Sequence, residues 1–343
     1  MPVNKQSGKR QGGYPTIKDI SEHAGVSKSL VSRALRGEGH VRDSTRQRIL
    51  ESAAELGYRA HAGARSLAGL SSGTIGFVIT GLFDAFWGEV MFAVDQEVSR
   101  RGMRTLYLSS PPDVRGERDV IERMLEYRVD GLALGLLGQR DAAELEEYAD
   151  VLPVLALMYD LRSDRFDTLV TDDEAAMASV VRHLAELGHS DIALIGDAEM
   201  PNVAARTRGY TNEMERRGCS QHVSFEPAGF LQSDGYDAAD KLLRRSRRPT
   251  AIACVNDAQA RGAVLAAVDA GLGVPGDISI TGFDDSLYAV AGVPRLTTVR
   301  LPRSDIGQTA VSMLADRMNG RDTALVSVLH AELVVRDSTG PVR

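Results

Sequence analysis

Two rhythms of apolar residues divide the chain. Over residues 16–58 the apolar positions recur at helical spacing. Ile17, Ile20 and Ala24 keep one face of a first helix, with Thr16 at its N-cap and Asp19 three positions on in capping-box spacing. Gly25 supplies a tight turn, and Ser27 caps a second helix that turns Leu30, Val31, Ala34 and Leu35 inward. Gly37 and Gly39 break the chain. A third helix runs from about Ser44, with Ile49, Leu50, Ala53 and Leu56 on its apolar face, and Gly57 ends it. From Thr74 the rhythm changes to short β-rich apolar runs at 74–80, 104–109, 129–135, 153–158, 191–196, 222–226, 250–255 and 277–282. Helical stretches near 88–101, 117–127, 141–149, 174–187, 203–217, 234–245, 258–270 and 304–319 alternate with them. Continuous apolar strands alternating with helices predict parallel sheets covered on both faces. They suit two doubly wound lobes or one large sheet. A short echo, Arg100-Arg101-Gly102 and Arg216-Arg217-Gly218 at two helix ends, favours two lobes.

The 343 residues suit about two domains at roughly 150 residues each. A hydrophobic share of 43% and a charged share of 25% exclude wholesale disorder. No apolar run approaches the roughly 18 residues of a membrane span. Lys5, Lys9 and Arg10 have no apolar stretch behind them, so the start is not read as a secretory signal. Residues 1–14 read as a disordered arm. Cys219 and Cys254 are the only cysteines, too few for a disulfide framework or a zinc site, which fits a reducing, cytoplasmic location.

Charge changes the picture. The net charge of −7 is a sum of unlike parts. Residues 1–70 hold 12 Lys/Arg against 6 Asp/Glu, and the remainder holds 28 against 41. A basic segment on an acidic body can neutralise phosphates while the body stays soluble. The plain alternative is a solvated basic face.

Residues 16–58, TIKDISEHAGVSKSLVSRALRGEGHVRDSTRQRILESAAELGY, resemble the helix-turn-helix headpiece of the lac-repressor (LacI/GalR-type) family of transcription regulators. Ala24-Gly25-Val26-Ser27 followed by Val31-Ser32-Arg33 is the most specific part. HLAELGHSDIALIG (183–196), AIACVNDAQARGAV (251–264), ISITGFDDS (278–286) and PRLTTVR (294–300) continue the resemblance in family order, over about 320 residues. It implies a headpiece over 15–59, a hinge linker over 60–73 and a periplasmic-binding-protein-like body over 74–340 that binds effector and dimerises. One lobe of that body takes about 74–170 and 301–329, the other about 171–298 and 330–338.

In a helix-turn-helix the second helix enters the major groove, and its first turns meet base edges. Lys28, Ser29 and Arg33 hold those positions here; Lys and Arg donate to guanine O6 and N7, and Ser bonds to several bases. Thr16, Ser32 and Thr45 are candidate phosphate contacts or ordinary caps, and Ser27 joins the DNA-binding set. The resemblance makes Leu67 a wedge into the minor groove that bends the duplex. Ala60-His61 stands where the family keeps Pro-Asn, and Gly63 lies within the would-be hinge helix, so the hinge is expected to be disordered without DNA. The resemblance implies a homodimer on a palindromic operator, the protein's two-fold axis matching that of the DNA. No leucine-heptad tail follows Val335, and the short, polar end from Arg336 argues against a tetramer.

A cleft between two α/β lobes is a natural ligand site. The resemblance makes Arg206, in Arg-x-x-Gly-aromatic spacing with Tyr210, the effector-contacting arginine. Asn256 or Asp257, Asp284, and the lid aromatic Phe230 join it. The alternatives are a helix cap for Asp257, a turn aspartate for Asp284, a surface helix residue for Arg206 and simple core for Phe230. Asp172 or Asp173 contacts ligand or caps the next helix, and the cap is the favoured reading. The first cleft loop, Gly81-Leu82-Phe83-Asp84-Ala85-Phe86-Trp87, departs from the family's Asp-x-x-Asn-Pro-Phe-Phe but keeps an aromatic pair, Phe86-Trp87. Such a pair suits a sugar ring or a purine.

Catalytic readings fare poorly. Gly271 to Gly276 matches the dinucleotide fingerprint literally, but it follows a helix and precedes a strand, the reverse of what that motif needs. There is no Walker loop and no Gly-x-Ser-x-Gly elbow. His183 and His189 have no carboxylate or cysteine at ligand spacing, and His189 is expected to complement a helix C-terminus. A solute-binding protein would share the body but not the basic headpiece. The sequence is thus read as a cytoplasmic, homodimeric repressor, nucleoid-associated when on its operator, without metal or cofactor. Its partners are duplex DNA and a small effector, a sugar or sugar derivative.

Overall fold

In the computed structural model the chain forms two compact units, residues 1–72 and 73–343. The structure describes residues 15–36, 41–58, 71–81, 85–111, 113–135, 141–196 and 201–342. The expected arm, Gly37, Gly39, Leu67 with most of the linker, and Leu82 to Asp84 lie outside them.

The first unit contains α1 (Ile17–Ala24), α2 (Lys28–Arg36) and α3 (Asp43–Glu55). Thr16 and Asp19 form the expected capping box: the Thr16 N–H donates to Asp19 Oδ2 at 2.7 Å, and the Asp19 N–H returns to Thr16 Oγ1 at 3.4 Å. Gly25 closes α1 in the left-handed region at φ 66°. Ile20, Ala24, Val31, Ala34, Val41, Ile49 and Ala53 make a small core between the three helices. Leu50, expected inward, is instead 44% exposed. Ile49 and Ala53, four apart, already fill the buried face, and Leu50 is turned about 100° from Ile49.

The second unit is built on two parallel sheets. The first has the order β11–β5–β4–β3–β1–β2, from β1 (Thr74–Thr80), β2 (Arg104–Ser110), β3 (Gly131–Gly135), β4 (Val154–Leu157), β5 (Asp167–Thr171) and β11 (Val326–Leu329). Its helices are α4 (Ala85–Arg100), α5 (Val114–Glu126), α6 (Ala142–Ala149) and α12 (Arg303–Met318). The second sheet has the order β7–β6–β8–β9, from β6 (Ile192–Ile195), β7 (Ser224–Glu226), β8 (Ala251–Cys254) and β9 (Ser279–Thr281). It carries α7 (Asp173–Glu186), α8 (Pro201–Arg216), α9 (Gln232–Leu243), α10 (Asp257–Asp269) and α11 (Leu287–Val290). The chain passes between sheets after β5, at β10 (Thr298–Arg300) and at β12 (Glu332–Val334); β10 and β12 pair antiparallel. The architecture is thus two doubly wound lobes, as the echo favoured.

β5, β10, β11 and β12 are missing from the predicted strands. β10, β11 and β12 hold only three or four residues each, and each has exposed positions, while β5 is buried throughout but has only Leu169 and Val170 as apolar residues, so no continuous apolar run marks them. The close packing of α12 on α4 depends on Gly307, where a Cβ would fall 2.7 Å from the Ala93 Cβ and 2.9 Å from the Val90 carbonyl oxygen.

His189 corrects an expectation. Its ring is buried between the Thr250 hydroxyl at 2.9 Å, the Ser279 hydroxyl at 3.0 Å and the Gly340 carbonyl at 3.0 Å. Burial lowers its pKa, so it serves as a neutral linker to the C-terminal tail and not as a cation at a helix end.

Candidate functional site

Lys28 and Ser29 are exposed in the first turn of α2, and Arg33 is exposed one turn on. Ser32 is half-buried beside them. The spacings Lys28 to Ser32 and Ser29 to Arg33 put all four on one strip of the helix. The opposite strip, Val31 and Ala34, is buried in the headpiece core. A short helix with an apolar back and a cationic, hydroxyl-bearing front has the chemistry of a groove reader. Ser27 caps the helix, its hydroxyl accepting the Leu30 N–H at 3.3 Å. Thr16 is exposed but engaged with Asp19, and Thr45 is half-buried near the start of α3.

In the second unit, Arg206 of α8 is buried between two carboxylates. Its Nε donates to Asp173 Oδ2 at 2.8 Å, and its Nη1 lies 3.8 Å from Asp284 Oδ1. Nη1 also donates to the Val255 carbonyl, and the guanidinium sits 3.8 Å over the Phe283 ring. Asp172 takes the cap position expected of that pair, accepting the Ala175 N–H at 3.2 Å. Its neighbour Asp173 instead faces Arg206 and accepts from the Thr171 hydroxyl.

Asp284 lies in a constrained turn. Its φ is 106° and that of Asp285 is 54°, both in the region that disfavours side-chain-bearing residues. Such conformations cost about 1–3 kcal/mol each and persist where surroundings over-determine them. Here Asp285 accepts from Arg300 Nε at 2.7 Å and from Arg336, and the Ser286 N–H donates to Asp257 at 2.6 Å.

Asn256 and Asp257 face inward. Asn256 caps α10, accepting the Gln259 N–H at 2.7 Å, while its Nδ2 donates to the Phe230 carbonyl at 3.0 Å. Asp257 is 1% exposed and also accepts from the Thr298 hydroxyl. Burial pushes its carboxyl up to about 7, against the lowering effect of these hydrogen bonds. Both residues thus brace the strained turn and the segment bearing Phe230.

Phe86 and Trp87 open α4 in the other lobe. Their rings meet edge to face at 5.1 Å. The Trp87 indole lies on Gly135 at the carboxyl end of β3, where a Cβ would come within 2.8 Å of it. Phe86 and Phe283 belong to one apolar cluster that continues from lobe to lobe, and Trp87 and Phe230 pack against it. The structure so gathers aromatic residues of both lobes, with Arg206 stacked on Phe283. Sequence reading passed over Phe283 and Gly135, and for Asp173 it favoured the helix cap that Asp172 provides. Phe283, next to Asp284 after an apolar strand, carried the only available signal.

Among the described residues no group of three His, Cys, Asp or Glu side chains is placed to hold a metal ion. No helix there is long and apolar enough to cross a membrane.

Comparison with known proteins agrees with this arrangement. Residues 16–61 match the bacterial regulatory proteins of the lacI family, and residues 181–339 match the periplasmic binding protein-like domain. The HTH-type transcriptional repressor PurR of Aliivibrio fischeri is 32% identical over 334 residues, covering 94% of this chain and 98% of that protein. PurR of Salmonella newport is 32% identical over 335 residues, 96% of this chain and 98% of its own. The crystal structure of the lac repressor dimer bound to operator and the anti-inducer ONPF superposes with a TM-score of 0.85 at 27% identity, over 96% of this chain and 100% of that one. A LacI transcriptional regulator from a Rhodococcus species gives a TM-score of 0.73 at 30% identity, over 78% of this chain and all but 1% of its own length, 99% being covered. With headpiece, body and nearly the whole length aligned, the chain belongs to the lacI family of DNA-binding transcriptional repressors with an effector-binding body.

Proposed function

We propose that this repressor binds a palindromic operator as a homodimer and that a neutral sugar or sugar derivative, held between the lobes, controls it. The observation that carries the effector reading is the Arg206 cluster. Two carboxylates, Asp173 and Asp284, already meet its one guanidinium. The two carboxylates would repel an added phosphate, whereas hydroxyl groups can donate to them. Phe86 and Trp87 offer the apolar plate that a ring face needs. Arg206, Asp284, Phe230, Phe86 and Trp87 are the proposed contacts, with Asn256 and Asp257 bracing them from behind.

The dimer reading draws on an exposed apolar patch. Leu265 and Val268 of α10 and Leu287, Val290 and Val293 at α11 are all at least 44% exposed, on helices that touch. A second copy of the chain related by a two-fold axis would cover it, and the lac repressor that superposes on this chain is a dimer bound to operator. Lys28, Ser29 and Arg33 would then read bases in each half-site, with Thr16, Ser27, Ser32 and Thr45 at the phosphates and Leu67 in the minor groove. A cytoplasmic protein that joins the nucleoid on binding fits this role.

The test is a thermal-shift screen of the full chain against D-ribose, cellobiose, sugar phosphates and nucleobases. Ligand at 100 times its dissociation constant adds about 2.7 kcal/mol. A shift from a neutral sugar supports the reading; a shift confined to phosphorylated compounds overturns it.

A further inference from the structure

The Arg303 side chain holds the turn that carries Asp284 from the other lobe. Arg303 is the first residue of α12, which packs on α4. Its Nη1 donates to the carbonyls of Asp284 and of Asp285, the latter at 2.9 Å. Its Nε meets Glu89 of α4 at 2.8 Å. Glu89 lies two residues beyond Trp87 and three beyond Phe86. A single guanidinium so joins the strained backbone beside Arg206 to the helix that bears the aromatic pair.

We propose that Arg303 is the positioning residue that couples the Asp284–Asp285 turn of one lobe to α4 of the other. This rests on the effector reading, since it joins the two halves of that proposed site. The planar fork is what makes the coupling possible. One nitrogen holds both carbonyls while another holds the carboxylate, which a lysine ammonium cannot reproduce in the same geometry. The turn offers two adjacent carbonyls because Asp284 and Asp285 both have positive φ. Release of Glu89 frees the fork to tilt, and release of the fork frees the turn.

The amides of the turn supply the readout. Gly282, Asp284 and Ser286 donate at 2.9, 2.8 and 2.6 Å to Thr297, Val299 and Asp257. Hydrogen exchange of the full-length, ligand-free protein is followed for residues 282–287 and 85–92 in Glu89→Ala, Arg303→Lys and the double variant. Glu89→Ala, a change in one lobe, is expected to speed exchange at 282–287 in the other about twofold to threefold, as fits a half-exposed ion pair. Arg303→Lys should speed it further, and the double variant should exchange no faster than Arg303→Lys. An unchanged turn in Glu89→Ala, or additive effects in the double variant, would reduce Arg303 to a local staple and overturn the coupling. No effector enters this experiment, so its failure is distinct from a failure of the effector reading, which the thermal-shift screen decides.

Discussion

Asp257 accepts the backbone N–H of Ser286 at 2.6 Å, across 29 residues of sequence. The bond links the first turn of α10 to the turn that presents Asp284 toward Arg206. It is made by a carboxylate almost wholly out of water, whose other oxygen accepts from Thr298. The turn's shape therefore depends on a group that resists ionisation.

A pH dependence follows. Burial raises the folded-state pKa of Asp257 from 3.8 to about 7. The folded state then binds more protons than the unfolded state between those values, so this group's contribution to stability falls as pH rises from about 4 to 7. Asp257→Asn can present an oxygen to Ser286 and an amide to Thr298. It should flatten that part of the stability–pH curve while keeping the fold. Urea unfolding at pH 5, 6, 7 and 8 checks this; an unchanged slope in the variant would remove Asp257 from the account.

Arg206 has a structural duty beside its proposed recognition role. Arg206→Ala would leave the buried Asp173 and Asp284 without their guanidinium, and losing one partner of a buried pair costs about 3–5 kcal/mol. Loss of effector response in that variant is therefore informative only beside a measured unfolding free energy. Asp173→Asn in the Arg206→Ala background should recover part of the loss. Equal stability of the single and double variants would argue that Asp173 carries no uncompensated charge.

How much of this was legible in the sequence differs by interaction range. The headpiece was legible because its signals are local: Thr16 with Asp19, Gly25, Ser27 and the apolar period lie within one or two turns of one another. The two-lobed body was legible from strand–helix alternation, and its echo has a structural cause. Glu97 pairs with Arg100 and Arg101, and Glu213 with Arg216 and Arg217, so each lobe ends one helix on the same buried carboxylate and arginine pair. The inward roles of Asn256 and Asp257 were not legible. Their partners, Phe230 and Ser286, lie 26 and 29 residues away. Arg303 was invisible for the same reason, since two of its acceptors are backbone carbonyls that any sequence would supply.

Trp87 offers a spectroscopic check on the aromatic wall, because the chain has a single tryptophan. In Gly135→Ala the new methyl would fall 2.8 Å from the indole, too close for the present packing. The indole must move, at a cost of roughly 1–3 kcal/mol. A red-shifted emission maximum with an intact fold is expected. An unaltered spectrum would mean that the indole does not rest on β3 in solution.

The recognition helix can be tested by the pattern of loss. Lys28→Ala should relax base preference at one operator position, by about 1–3 kcal/mol for the favoured base. Selection from random duplex DNA, run on wild type and variant at fixed salt, reads this directly. A uniform loss over all sequences, with a shallower salt dependence, would reassign Lys28 to a phosphate.

The polar tail makes the last prediction, because its role contradicts its composition. From Arg336 on it reads as a short, polar end, yet Ser338 is fully buried. The Ser338 hydroxyl donates to the Ile280 carbonyl at 2.6 Å, and the Ile280 N–H returns to the Ser338 carbonyl at 2.9 Å. His183 and Thr339 meet at 2.9 Å, the Val342 N–H donates to the Leu187 carbonyl at 3.0 Å, and His189 holds Gly340. The tail so lies along β9 and the end of α7, satisfying buried polar groups that a truncation would orphan. Each orphaned group costs about 1–3 kcal/mol. Removing residues 337–343 should therefore lower the unfolding free energy by several kcal/mol, far more than loss of seven exposed residues. Acid should act in the same direction. Burial lowers the folded pKa of both His183 and His189, so their contribution is complete above the unfolded value near 6.5 and is lost as pH falls below it. The truncated chain should lose that acid sensitivity along with its stability. Urea melts at pH 5 and 7.5, with and without the tail, decide the matter: a truncation that leaves both midpoints in place would show that the strap is ornamental.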